Sequence, residues 1–141
     1  MGIRLVSTMS LDRVTVERRA LSVQTVTLTL PIMPPSTNHL YANIPGKGRV
    51  RTSTYESWIY QCGIFLKPQI IKAGRFNGRV DLLFRLEDAH PNRDVSNCIK
   101  PLEDLLVKCG AIENDNARFV HSVKAEWAPI EGVTIEIARA A

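Results

Sequence analysis

Between residues 23 and 30 the chain alternates, with Val26, Leu28 and Leu30 on one side and Thr25, Thr27 and Thr29 on the other. A period of two predicts a β-strand with one wet face. Pro31, Pro34 and Pro35 end it, because proline cannot donate to a sheet ladder. Residues 31–52 show no period and are rich in Asn, Gly and Pro, so they read as one long loop of the kind that usually carries function. Ser53-Thr54-Tyr55-Glu56 has the form of a capping box and predicts a helix from Ser53. Trp58, Ile59, Cys62, Leu66 and Ile70 supply its apolar stripe, Pro68 should kink or end it, and Gly74 and Gly78 mark the exit. Val80, Leu82, Phe84 and Leu86 alternate again and predict a second strand. Residues 88–97 are polar and read as a loop. A second helix then runs from about Ser96 to Lys108, with Ile99, Leu102, Leu105 and Leu106 inward and Gly110 just past its end. Residues 119–127 and 133–137 are two further strands, separated by Pro129 and Gly132 and read as a hairpin. The order β-α-β-α-β-β predicts an α/β (α+β) domain over residues 23–141, a mixed sheet with two helices packed on it. Residues 1–22 have no clear period, carry Arg4, Arg13, Arg18 and Arg19, and read as an N-terminal arm.

Composition narrows the class. The chain has 141 residues, 45% hydrophobic and 23% charged, which excludes a disordered tail, a fibre and a disulfide-rich miniprotein. Cys62, Cys98 and Cys109 form no CxxC pair, and three cysteines make a poor disulfide framework. Cys98 and Cys109 share a face of the second helix but stand about 16 Å apart along it, so packing is their expected role. No apolar run approaches the roughly 20 residues of a membrane span. The N-terminus lacks a signal-peptide core, so a cytoplasmic protein without membrane partners is expected.

The formal charge of +4 is distributed unevenly. Residues 46–79 carry Lys47, Arg49, Arg51, Lys67, Lys72, Arg75 and Arg79 against Glu56 alone. Residues 80–115 carry eight acids and four bases. A basic half beside an acidic cluster suits a protein that grips a polyanion and holds a cation near it. Two solvated faces that happen to segregate would look the same.

The densest chemistry lies in residues 92–101 and 113–116. Asp94 precedes the second helix and Asp115 follows it. Mg²⁺ takes one or two carboxylates, completes its octahedron with water and leaves room for phosphate. Two carboxylates from converging loops could build such a site. The metal would polarise a scissile phosphate and lower the pKa of an attacking water. Lys100 lies one turn into the helix and could reach the same phosphate as a point charge. The plainer alternatives are a helix cap for Asp94 and a turn residue for Asp115. His90 stands before the acidic loop as a candidate general base, although a lone loop histidine is more often scaffold.

Three stretches resemble the RusA-type Holliday junction resolvases, small phage-derived endonucleases that cut four-way DNA junctions. Leu30-Pro31-Ile32-Met33-Pro34-Pro35-Ser36-Thr37-Asn38 is similar to that family's opening strand and PPSxN turn. Arg93-Asp94-Val95-Ser96-Asn97-Cys98-Ile99-Lys100-Pro101-Leu102-Glu103-Asp104-Leu105-Leu106 is similar to its RDxDNxxKxxxDAL signature. Gly110-Ala111-Ile112-Glu113-Asn114-Asp115 matches the family's G-x-(hydrophobic)-x-D-D turn in its second acidic position only.

The resemblance implies a homodimer that binds the junction symmetrically and hydrolyses one phosphodiester on each of two opposed strands. It implies one Mg²⁺ per subunit, no nucleotide cofactor, and a bacterial or phage-encoded cytoplasmic protein. Asp94 falls on the family's first catalytic aspartate, Asp115 on its third and Lys100 on its lysine. Lys47, Arg49, Arg51, Arg93, Asn97 and Lys100 become the candidate DNA contacts. The second aspartate falls on Ser96. A hydroxyl can hold a metal-bound water but supplies no negative charge. Glu113, Asp88 or Asp104 could compensate, though Asp104 is better placed to pair with Lys100 or Lys108 at i, i+4. The expected activity is therefore a Mg²⁺-dependent junction endonuclease in recombination and repair. The alternatives are a junction-binding protein that has lost catalysis and a metal-free interaction module.

Overall fold

The computed structural model describes residues 25–140, so the N-terminal arm and the expected strand start at Val23 lie outside the described residues. Strand β1 (Thr25–Leu30) buries Leu28 and Leu30 and leaves its threonines exposed, as the alternation requires. The stretch read as a loop holds more structure than its pattern predicts. A 3₁₀ turn (Thr37–His39) leads into an antiparallel hairpin of β2 (Tyr41–Ile44) and β3 (Gly48–Arg51). Both strands are mostly exposed, so no apolar alternation marks them.

Helix α1 (Ser53–Ala73) is capped one residue earlier than expected. Thr52 is the N-cap, and its Oγ1 accepts the Tyr55 N–H at 3.1 Å while donating to the His39 carbonyl at 2.6 Å. Pro68 lies inside α1 and does not end it. The carbonyl it leaves without a donor belongs to Ile64, which is exposed, so water can replace the lost bond. From the next turn Gln69 bonds both ways with the Thr29 main chain, each contact at 2.9 Å. Its carboxamide thus fills part of the open edge of β1, where another strand would otherwise pair.

Strand β4 (Val80–Glu87) buries every second side chain, as predicted. A 3₁₀ turn (Val95–Cys98) then runs into α2 (Ile99–Lys108), which buries Leu102, Leu105 and Leu106. Gly110 (φ +84°) reverses the chain while Ala111 N–H returns to Leu106 O at 2.9 Å. Strands β5 (Val120–Ala128) and β6 (Val133–Arg139) follow.

The larger sheet has the order β1-β6-β4-β5, so it is mixed as expected, but β5 and β6 are not a hairpin. Strand β5 pairs with β4 in parallel, while β6 lies antiparallel between β1 and β4. Parallel neighbours need a crossover, and α2 supplies it. Residues 129–132 form an arch over the end of β4. There Glu87 N–H bonds Gly132 O at 2.9 Å and Asp88 N–H bonds Ala128 O at 3.0 Å. Glu87 also accepts the Gly132 N–H through Oε1 at 2.8 Å. This backbone bond, reinforced by His90, holds the Glu87 carboxyl below the usual glutamate range.

The three cysteines are free. Burial pushes the Cys62 thiol up to about 12, which fits a packing role. Among the described residues no helix is long and apolar enough to cross a membrane.

Gly132 has φ +70°, and a Cβ there would overlap the Leu30 carbonyl oxygen and the Pro31 backbone. Gly132→Ala should therefore cost at least about 2 kcal/mol, read as a lowered urea midpoint. A midpoint unchanged within error would mean that the arch is not packed against β1.

Candidate functional site

The turn after α2 brings Asp115 to Lys100, and Asp94 stands in the turn that precedes the helix. Asp94 occupies the N-cap position of the 3₁₀ turn, but its side chain makes no capping bond. The carboxylate accepts instead from Asn97 Nδ2 at 3.5 Å, a long contact that leaves it largely open to water. Asp115 is not the residue that builds its turn either. Asn114 Oδ1 accepts the Asp115 and Asn116 N–H groups at 2.7 and 3.3 Å, and Asn116 Oδ1 accepts that of Arg118 at 3.0 Å. The flanking asparagines shape the loop, which frees the Asp115 carboxylate to reach toward α2.

Lys100 meets it there. Its Nζ lies 3.0 Å from Asp115 Oδ2 and 3.0 Å from Asp104 Oδ1. The two hydrogen bonds, Asp104 first, raise the ammonium well above the ordinary lysine range, so Lys100 acts as a fixed cation and not as a base. Asp104 pairs at i, i+4 as expected, yet it also takes a second donor that the sequence did not announce. The hydroxyl of Tyr55 donates to Asp104 Oδ2 at 2.8 Å. Tyr55 is fully buried, and burial followed by this bond raises its phenol above the ordinary tyrosine range. Glu103, half-buried beside the same group, is raised by burial and then by Asp115. Tyr55 was legible only as an extension of the α1 stripe one turn before Trp58.

The hairpin connects to this network through aromatic rings. Tyr41 meets Tyr55 edge-on with centroids 5.8 Å apart, and Tyr55 stacks on Trp58 at 6.2 Å. The Arg49 guanidinium sits 4.4 Å from the Tyr41 centroid, and that of Arg51 sits 5.7 Å from the Tyr55 centroid. Arg51 also reaches Glu56 at 3.9 Å, an exposed pair of little energetic weight. Lys47 is exposed at the hairpin turn. Arg93, beside Asp94, has a buried Nη2 with no hydrogen-bond partner among the described residues.

Other polar and aromatic side chains make their own contacts. Ser96 is exposed on the 3₁₀ turn, near Asp94 in the chain. His90 spends its Nε2 on Glu87 Oε2 at 3.1 Å, which ties it to the arch. His39 contacts Ser36 Oγ at 2.8 Å, and His121 contacts Asp81 Oδ1 at 2.7 Å. Asp88 lines a hollow with Pro31, Glu87, Pro129, Ile130 and Glu131 at the arch, and Glu113 is exposed. Trp58 is buried with Nε1 donating to Ile32 O at 3.3 Å, while Trp127 is partly buried against the core. Among the described residues no group of three or more His, Cys, Asp or Glu is placed to hold a metal. No known family model matches the chain, and no curated protein matches it.

Tyr55 and Lys100 both hold their protons more tightly folded than unfolded. Stability should therefore fall as pH rises above about 10, where the unfolded chain releases those protons and the folded chain does not. Tyr55→Phe should flatten this alkaline slope and cost about 1.5–3 kcal/mol at pH 7, the range for hydrogen bonds to charged groups. Urea unfolding from pH 7 to 11 reads both effects. An unchanged slope with no loss at pH 7 would rule out the Tyr55–Asp104 bond.

Proposed function

We propose that the chain is a Mg²⁺-dependent, structure-specific endodeoxyribonuclease that resolves four-way DNA junctions in recombination and repair. The observation that carries this reading is the Lys100 ammonium fixed 3.0 Å from Asp115, on the helix that Asp94 precedes. This arrangement offers two carboxylates and one permanent cation to a phosphodiester.

The donor set suits the ion in kind. Mg²⁺ asks for one or two carboxylates and keeps several waters. Asp115 keeps one oxygen clear of Lys100, and among the described residues the Asp94 carboxylate makes only the long contact to Asn97. Those two residues would hold the ion, with Ser96 contributing through water. Bound there, it would supply Lewis-acid polarisation of the phosphate and a more acidic water. The chain's own part is positioning. Lys100 presents its charge to the phosphate, and Asp104 with Tyr55 fixes where that charge stands. Arg93, Asn97, Lys47, Arg49 and Arg51 would take backbone phosphates, giving an affinity that falls with salt and carries little sequence information. The exposed apolar side chains of α1, Tyr60, Ile64, Phe65 and Ile71, favour pairing of two copies into the homodimer that opposed cuts require.

A junction-binding protein without catalysis is the second reading. It is favoured by Ser96, which brings no charge, and by the ion pair that neutralises part of Asp115.

Variants separate the two on a labelled mobile junction with Mg²⁺. In the nuclease, Asp94→Asn and Asp115→Asn should each lower cleavage about 100-fold or more while leaving junction binding in place. Ser96→Asp should raise cleavage. In the binder, the natural chain should bind without cutting, and Ser96→Asp should switch cutting on. Cleavage indifferent to all three substitutions would refute the assignment of the site.

A further inference from the structure

Between α1 and the end of α2 lies a hollow of about 480 Å³ that the proposed chemistry does not use. Ile59, Tyr60, Ile64 and Pro68 wall it, and the buried Gly63 lies at its base. Tyr60 and Ile64 are 72% and 59% exposed, so the walls present apolar surface to water. Gly63 is not there for lack of room. A Cβ on it would meet Lys67 Cε at 3.7 Å and Cys109 Sγ at 3.9 Å, both ordinary contacts. Alanine would therefore fit and would strengthen the helix, because glycine is a poor helix former. What the glycine provides is an open base.

Three kinds of group meet in this hollow. The first is the apolar wall. The second is positive charge, since Lys67 and Lys108 line it and neither makes an ion pair among the described residues. Burial raises the neighbouring Cys109 thiol and both ammonium groups act against that rise, which places the two charges around one sulfur. Glu56, the acid in the lining, faces Arg51 at 3.9 Å. The third is a main-chain acceptor. Pro68 has no N–H to return to the Ile64 carbonyl, and both residues line the hollow. Solvated lysines alone would carry nothing. Beside an apolar hollow and a carbonyl without its helical donor, they describe a ligand with an apolar body, an anion and an N–H close together. The last residue of a polypeptide has all three, in its side chain, its carboxylate and its amide.

We propose that this hollow captures the carboxyl terminus of a partner chain whose last residue is large and apolar. That side chain would enter over Gly63 between Tyr60 and Pro68. The terminal carboxylate would meet Lys67 and Lys108, and the N–H of the same residue would bond the Ile64 carbonyl. An internal apolar segment brings no main-chain carboxylate to the two cations, and a basic one would be repelled. None of the lining residues belongs to the proposed catalytic region, so partner capture stands apart from cleavage.

Fluorescence anisotropy of a labelled peptide, Gly-Ser-Gly-Ser-Leu-Phe with a free carboxyl terminus, tests the capture site on the full chain. The peptide should bind. Amidating its terminus, or replacing the final Phe by Ser, should each weaken binding about tenfold or more, the scale of a lost contact to a charged group or of a large side chain left unburied. Lys67→Met with Lys108→Met should make the free and amidated peptides bind alike. Gly63→Ala should lower affinity about fivefold or more while the urea midpoint holds or rises, a pair of effects that a purely structural glycine would not give. Iodoacetamide labelling of Cys109, which lines the hollow, should slow when the free peptide is bound. No binding at about 1 mM peptide, equal binding of the free and amidated forms, or unchanged affinity in Gly63→Ala overturns the capture site. A peptide that fails to bind while Ile64→Ser converts a sedimenting dimer to monomer shows a contact between copies of this chain, and that also overturns it.

Discussion

The arch at residues 129–132 is the constraint from which the architecture follows. It crosses the end of β4 with so little room that Gly132 sits against the Leu30 carbonyl, and two backbone bonds from Glu87 and Asp88 fasten it. Because the chain returns on the far side of β4, β6 becomes an inner strand and closes against β1. Strand β5 can then only pair with the other edge of β4, in parallel, and the chain must cross over through α2 to reach it. The two loops that flank α2 are those that carry Asp94 and Asp115. The sheet topology thus determines where the candidate chemistry stands.

Electrostatics then decides what those residues can do. Lys100 sits between two carboxylates in a half-exposed setting, and its proton is held by both. Such a group stays charged across the physiological range. Asp104 is held in turn by a buried phenol, so Lys100 is anchored to the core through a neutral donor that does not compete for its charge. The same phenol ring meets the hairpin through Tyr41. Basic hairpin, aromatic contact and acid–base cluster are therefore mechanically continuous.

The elements legible in the sequence are those with one face in the core. β1, β4 and α2 bury alternate or helically spaced residues, and the pattern of Leu28, Leu30, Val80, Phe84 and Leu105 reports it directly. The hairpin was invisible because both of its faces are wet, so Tyr41–Ile44 has no apolar period to read. The pairing of β5 and β6 was misread because a four-residue connection with Pro129 and Gly132 looks like a hairpin turn. Only the arch over β4 shows that the partner strands are separated by another. Pro68 signalled a helix end, but its cost is small on an exposed flank, and the core residues Leu66 and Ile70 carry α1 past it. Within the candidate site, the i, i+4 pairing of Lys100 with Asp104 follows from spacing alone. The Tyr55 contact spans 49 positions of the chain and depends on how α1 packs on α2, which no local pattern encodes.

The central claim is that this scaffold recognises and cuts a DNA branch point. The direct measurement is incubation of the purified chain with a labelled mobile four-way junction and with a linear duplex of the same sequence, each with Mg²⁺ and with EDTA. The account predicts paired cuts on opposed strands of the junction, none on the duplex, and none in EDTA. Equal, weak binding to junction and duplex with no cleavage of either would contradict it.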